Sequence, residues 1–419
     1  MKKKRPAILA QSIGALLALS ALTPLAPANQ TWDGGGADDF WNTSANWGLD
    51  MLPNFNSALT FGGVLRLTPV NSTQASVAGL TFNASAGAFT LTGSGPGDSI
   101  TLGGDITNNS TSDAQTISFA TITLTGNRNL NANTNTLTVN SDIVLGGNTL
   151  TAVATNDITL NGAITGTGGL VKNDAGTLFL GGANSYSGTT TLSDGQLVAQ
   201  ISSALSPNST FVIQGSSTLD VAGNDPTIGG LNDGGSTSGR VVNSGAGLAT
   251  LTIGNGNAAG SFGGTIENFG GPLAIRKIGT GTQTFSNNNT YSGETIVDAG
   301  RLEITGSVGS TVVTVNGGTL LVGKSGALPG VPAVSVTGGG FEYHASTNTP
   351  LALSDLTLTS GPGTTIGGSI GATTTGAQIQ VAGSVAPTVG LVKVNVFAVP
   401  GVATGATGTY TLLSAGAGS

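Results

Sequence analysis

The sequence predicts an all-β protein, a right-handed parallel β-helix (β-solenoid) with coils of about 20 residues. Three observations predict it. Val, Ile and Leu recur flanked by Thr, while Lys, Glu, Gln and Arg are scarce after the first thirty residues, which is strand chemistry. From about residue 77 the chain becomes short alternating runs separated by Gly, Asn and Asp, the pattern of strands joined by tight turns. The runs also keep a spacing. Residues 157–161 (DITLN) repeat 136–140 (TLTVN) at an offset of 21, and Ile164 repeats Ile143 at the same offset. Leu178 and Leu180 follow Ile158 and Leu160 by 20, and Leu137 and Val139 follow Ile117 and Phe119 by 20. Such a period suits one coil of a solenoid, because each coil buries its inward side chains only against the coils above and below.

The elements follow in order from the N-terminus. Lys2, Lys3, Lys4 and Arg5 precede an apolar run from Ala7 to Leu22, and Ala26-Pro27-Ala28 supplies small residues for cleavage after Ala28. This is the pattern of a secretory signal peptide over 1–28, too short to span a bilayer as a retained anchor. Residues 29–76 read as a Trp-rich N-terminal cap: Trp32, Trp41 and Trp47 fall within a W-D-G-G-G-x-D-D-x-W-N-x-x-x-N-W stretch, and a solenoid must cover its first coil. A glycan contact through the same three Trp faces is the alternative, since indoles are rigid and amphipathic. Residues 77–330 read as the β-helix proper, and 331–419 continue it to a strand-like end, as in a longer protein cut short or a chain released by another route.

Composition bounds the chemistry. The 419 residues hold 20 Asp+Glu, 13 Lys+Arg and one His, a poor supply of catalytic groups, so no enzyme activity and no cofactor are expected. A hydrophobic content of 38% with 8% charge sets the chain apart from disordered sequences, which combine low hydrophobicity with high net charge. The absence of Cys excludes disulfides, thiolate metal sites and cysteine nucleophiles. Beyond the leader's four basic residues, nine Lys+Arg stand against 20 Asp+Glu, a formal charge of −11. Nucleic acid is not an expected partner, for phosphate binding needs clustered cations.

A longer repeat is sharper. Residues 169–197 recur as 274–302 at a constant offset of 105. Leu170, Lys172, Gly176, Thr177, Asn184, Tyr186, Ser187, Gly188, Thr190, Gly195 and Leu197 align with Ile275, Lys277, Gly281, Thr282, Asn289, Tyr291, Ser292, Gly293, Thr295, Gly300 and Leu302. The second copy carries Gln283 and Thr284 where strand apolars are usual. The stretch resembles the autotransporter-associated β-strand repeat, also called the passenger-associated transport repeat. The resemblance covers about 60 residues closely and implies an exported β-helical surface protein whose repeats assist passenger transport and folding. It implies export by the general secretory pathway, an outer-membrane translocator as a further partner, and a location at the cell surface, on the outer membrane or outside the cell. It brings no catalytic residues, and no surface or glycan ligand is named by the sequence.

Three apparent motifs lose on context. Residues 318–325 satisfy the Walker A pattern, but the residues between the glycines are strand-forming and no helix can start in the following GALPGVP. His344, the single histidine, has no orienting Asp-x-His arrangement and no second ligand adjoining it in the sequence. The Gly-rich stretches before Asp38 and Asp98 are not tandemly repeated, as calcium-binding glycine loops are. A carbohydrate-active enzyme on the same scaffold would need carboxylates converging on one face, whereas Asp105, Asp142, Asp157, Asp174 and Asp194 stand singly beside turn residues.

Overall fold

The computed structural model describes residues 29–359 apart from 55, 95–97, 311, 325, 331–332 and 345–349, and then 364–370, 379–381, 385–387, 393–398 and 412–415. The leader, with Ala26 and Ala28, lies outside the described residues. The chain is all-β, with short 3-10 turns at Ser44–Asn46, Gly48–Asp50 and Asn255–Asn257. Every pair of adjacent strands in its sheets is parallel, and the coils stack into a β-solenoid of about 22 residues per turn.

Each coil contributes to three faces. On the first, strands run from Asn29–Trp32 through Ala58–Phe61, Leu130's strand Arg128–Ala132 and Leu170–Asn173 to Leu231–Asn232. The second carries Leu137–Val139, Ile158–Leu160, Thr177–Leu180 and Gln196–Ala199 among others. The third begins with Ser76–Val77 and Ser99–Leu102. Alternation within a strand explains its formation: in Thr121–Leu124 the two Thr point outward and Ile122 and Leu124 are buried. The buried residues join into one continuous apolar core along the rod.

The registers confirm most of the sequence spacing and correct one part of it. Leu137 pairs with Ile158 and Ile143 with Ile164, both 21 apart, and Ile158 pairs with Leu178, 20 apart. Leu137, however, pairs with Gln115 and Val139 with Ile117, an offset of 22 rather than 20. The apolar match misleads there because a glutamine fills the core position. Gln115 is fully buried, and its amide accepts from Phe89 N at 3.0 Å and donates to the carbonyls of Gly87 and Asp113 at 2.9 and 3.0 Å. Coil length varies accordingly, among the described strands from 18 residues between Thr295 and Val313 to 34 between Ile379 and Leu413.

A second buried glutamine repairs a break. The first face loses its backbone ladder after Leu231–Asn232, and Gly260–Phe262 takes the next position with Ser261 N donating to Asn232 Oδ1 at 2.9 Å. Gln283, one coil further, points inward and makes both bonds a peptide group would make: its Oε1 accepts from Leu231 N at 3.1 Å and its Nε2 donates to Leu231 O at 2.8 Å. This explains why the second long repeat carries Gln where an apolar residue is usual. Gln283→Leu should therefore destabilise the chain although it adds an apolar side chain. Two buried backbone groups would lose their partners, at about 1–3 kcal/mol each. Urea unfolding with hydrogen exchange at Leu231 checks this, and an unchanged or raised midpoint would refute it.

Candidate functional site

The residues singled out by the long repeat lie on the inner wall and at the corners between stacked coils. In the first copy, Lys172 points into the core from Leu170–Asn173 and is fully buried. Its ammonium turns into the corner and donates to the carbonyls of Asn173 at 2.8 Å, Asp174 at 2.5 Å and, one coil on, Asp194 at 3.3 Å. Lys277 does the same in the second copy, donating to Ile278, Gly279 and Ala299 carbonyls at 2.6, 2.9 and 3.4 Å. Burial lowers both ammonium groups, Lys172 to about 8 against the upward pull of Asp174, Asp194 and Asp157.

The glycines stand where the chain above touches the chain below. Gly195, with φ +69°, is the closing corner: a Cβ there would lie 2.4 Å from Asp174 O and 2.7 Å from the Lys172 ammonium. Gly300, with φ +63°, holds the corresponding place. Gly188 N donates to Gly168 O at 3.0 Å and Gly293 N to Leu273 O at 2.9 Å, contacts so close that no side chain fits between them. Gly176 donates to Ala154 O at 2.7 Å, and Gly281 likewise lies against Ala258 O.

Tyrosine and asparagine complete each copy. Tyr186 and Tyr291 are fully buried, with hydroxyls 2.7 and 2.8 Å from Thr190 and Thr295 Oγ1, and burial raises both phenols above their ordinary range. Asn184 Oδ1 accepts from Ile164 N at 2.7 Å while its Nδ2 donates to Ala204 O at 2.6 Å, tying three successive coils. Asn289 repeats this between Ile266 N and Ser307 O at 2.8 and 3.1 Å. Ser187 and Ser292 lie at the surface, the latter with its N–H donated to Asn268 Oδ1. Thr177 and Thr282 point outward beside the corners. Alignment of the two copies showed Lys, Asn and Thr as shared residues but not their role; the legible signal was a Lys at an inward position of an alternating strand.

The two copies do not sit on the same faces. The first opens on the first face with Leu170–Asn173, which is followed there by Thr190–Leu192, Phe211–Ile213, Leu231–Asn232 and Gly260–Phe262. The second opens with Leu273–Lys277, which pairs with Ala249–Ile253 and, through it, stacks on Thr227–Ile228 of the third face. The offset of 105 is thus four coils and two further faces, so the second copy is turned by one face about the rod. Its contacts involve only neighbouring coils, and any of the three corners can host them.

Elsewhere, the sequence candidates are drawn into structure. Trp32, Trp41 and Trp47 are fully buried, which corrects the glycan-contact reading: no indole face is open to a ligand. They pack on Phe61, with Trp41 also against Phe119. Residues 319–322 of the Walker-like stretch form a strand between Arg301–Ile304 and Gly340–Tyr343. The single acids tie coils together: Asp105, Asp142, Asp157 and Asp225 accept from the backbone N–H of Asn129, Ala163, Thr177 and Thr250 at 2.7–3.1 Å. Asp38 accepts from Phe40 N, and hydrogen bonds led by Thr43 hold its carboxyl below the usual range.

The nearest approach to converging acids lies on the outer side of Arg301–Ile304 and Gly340–Tyr343. Arg301 bridges Glu303 at 2.8 Å and Glu342 at 3.2 Å, and His344 Nε2 lies 3.6 Å from Glu342. One guanidinium compensates both carboxylates, and burial lowers the imidazole against the pull of Glu342. This is the arrangement of an ion-pair network. Among the described residues no three His, Cys, Asp or Glu side chains are grouped to hold a metal, and no helix is long and apolar enough to cross a membrane.

Comparison with known proteins locates the long repeat. The family model described as passenger-associated-transport-repeat matches residues 170–199 and 275–304. Over 96 residues the chain is 36% identical to the adhesin BmaC autotransporter of Brucella suis biovar 1 (strain 1330), a stretch that makes up 23% of this chain and 3% of that protein. The chain therefore spans only a small part of that relative's length. No solved structure matches. The corner locks built around Lys172 and Lys277 thus fall within the two stretches that match the passenger-associated-transport-repeat model, carried on a parallel β-solenoid.

Proposed function

We propose that this chain is passenger material of an exported, autotransporter-like surface protein, a non-catalytic, adhesin-like rod whose two repeats assist its transport and folding. The observation that carries this reading is that both repeats place their shared polar groups in contacts between coils, around a buried Lys and Tyr, and so build a scaffold. The match to an adhesin autotransporter supports the surface role. Export through the general secretory pathway and an outer-membrane translocator, and residence at the cell surface or outside it, belong to the same proposal.

Mass spectrometry of the outer-membrane and medium fractions of the producing cells tests it. The expected N-terminal peptide starts at Asn29, and intact cells or medium should yield the protein to surface protease. Recovery only from the cytoplasm with residues 1–28 attached would overturn the export proposal. Beads coated with the purified protein should adhere to epithelial monolayers or extracellular matrix. Beads that adhere no better than albumin-coated ones would remove the adhesive role.

A further inference from the structure

We propose that the outer side of the second face, between Gln196–Ala199 and Thr265–Asn268, holds a subsite for one neutral hexose unit of a glycan. The inference rests on the adhesive reading above and names its ligand class. Phe269 is 72% exposed, in a chain that buries nearly all its described aromatic rings. It borders a cleft of about 180 Å³ lined also by Gln196, Thr218, Arg240 and Val242. Val242 faces outward in the register Asp220–Val242–Glu267 yet is only 3% exposed, so the cleft has an apolar floor as well as an aromatic rim.

Its walls carry donors and acceptors held in place. Arg240 Nε donates to Glu267 Oε1 at 2.6 Å, and Gln196 Nε2 donates to Asp220 Oδ2 at 3.1 Å. Asp220 Oδ1 also accepts from Ala222 N and Ser244 N at 2.8 and 3.0 Å. The guanidinium is thus matched by one carboxylate, and the other carboxylate is satisfied within the wall. One guanidinium against two carboxylates leaves the wall at −1, which disfavours a phosphate, and both carboxylates are already engaged by protein donors, which leaves no free oxygen set for a cation. A pyranose has what remains: a C–H face for a ring and an apolar floor, and a rim of hydroxyls for an amide, a hydroxyl and an ion pair. The volume lies below the roughly 300–1,000 Å³ of pockets that enclose drug-sized ligands, so it suits one ring at a time.

The test uses the whole protein and saturation-transfer NMR with the methyl glycosides of glucose, galactose and mannose. At least one should bind saturably, with a Kd of about 1 mM as expected for so few contacting atoms. Phe269→Ala should weaken it about tenfold and Phe269→Trp should retain it. Thr218→Tyr, which fills the cleft, should abolish it, and circular dichroism melts should match the wild type for all three variants. Absence of saturable binding by the wild type, or equal binding by Phe269→Ala and Thr218→Tyr, would overturn the subsite. The bead assay separates the two readings: wild-type beads that adhere while no hexose binds sink the subsite alone, and beads that do not adhere sink the adhesive role with it.

Discussion

Trp47→Ala should cost about 3–5 kcal/mol, the loss expected when a fully buried aromatic is truncated, and the damage should stay at the N-terminal end. Trp47 stands edge-on to Trp32 at 5.2 Å and to Trp41 at 6.0 Å, and its indole N–H donates to Trp41 O at 2.8 Å. Its backbone bridges Trp32. Removing it opens a cavity beneath three rings and orphans a buried carbonyl, while Phe61 keeps its contacts with Phe82 and Phe89. Solenoid stability is a sum of coil and neighbour terms, so exchange protection should fall first at Asn29–Trp32 and Ala58–Phe61 and stay near wild type at Leu170–Asn173. Native-state hydrogen exchange checks this. A uniform loss along the rod, or one under about 1 kcal/mol, would show that this segment does not close the first coils in the way described.

Lys172→Met should cost on the order of 3 kcal/mol, in spite of removing a buried charge, because hydrogen bonds to a charged donor are worth about 1.5–3 kcal/mol and the orphaned carbonyls of Asn173 and Asp174 remain. The same residue shapes the pH profile. Below about pH 8 the ammonium is protonated in both states and its burial penalty is present in full. Between about 8 and the ordinary value of 10.5 the unfolded chain holds the proton and the folded chain does not, so stability rises with pH. The buried phenols act in the opposite sense. Tyr186 and Tyr291 are raised, and Tyr343 is pushed up to about 12, so above pH 10 the unfolded chain ionises first and stability falls. Melting temperature should therefore climb from pH 8 towards 10 and drop beyond it. Lys172→Met should flatten the climb and Tyr186→Phe should soften the drop. A wild-type profile flat from pH 8 to 11 would refute both assignments.

Much of this was legible in the residues. Alternation in runs such as Thr121–Leu124 and the 20–21 spacing of Ile158 and Leu178 with their neighbours gave strands, coils and parallel stacking, because inward positions in successive coils share one apolar core. The register that failed, at Gln115, failed because a glutamine amide fills a core position and bonds backbone groups there, and apolar matching reads it as a gap. The Trp cluster was visible as a cluster, yet its burial depends on Phe61 and Phe119 arriving from later coils.

The sequence by itself determined the strand class, the approximate coil and the two long repeats, since these follow from side-chain periodicity and local turn chemistry. Tertiary structure alone decided that Lys172 and Lys277 lock corners, that the second repeat is turned by one face, and that Phe269 overhangs a polar cleft. Each of these depends on how many residues the intervening coils hold, and coil length is set by loops whose composition carries no period.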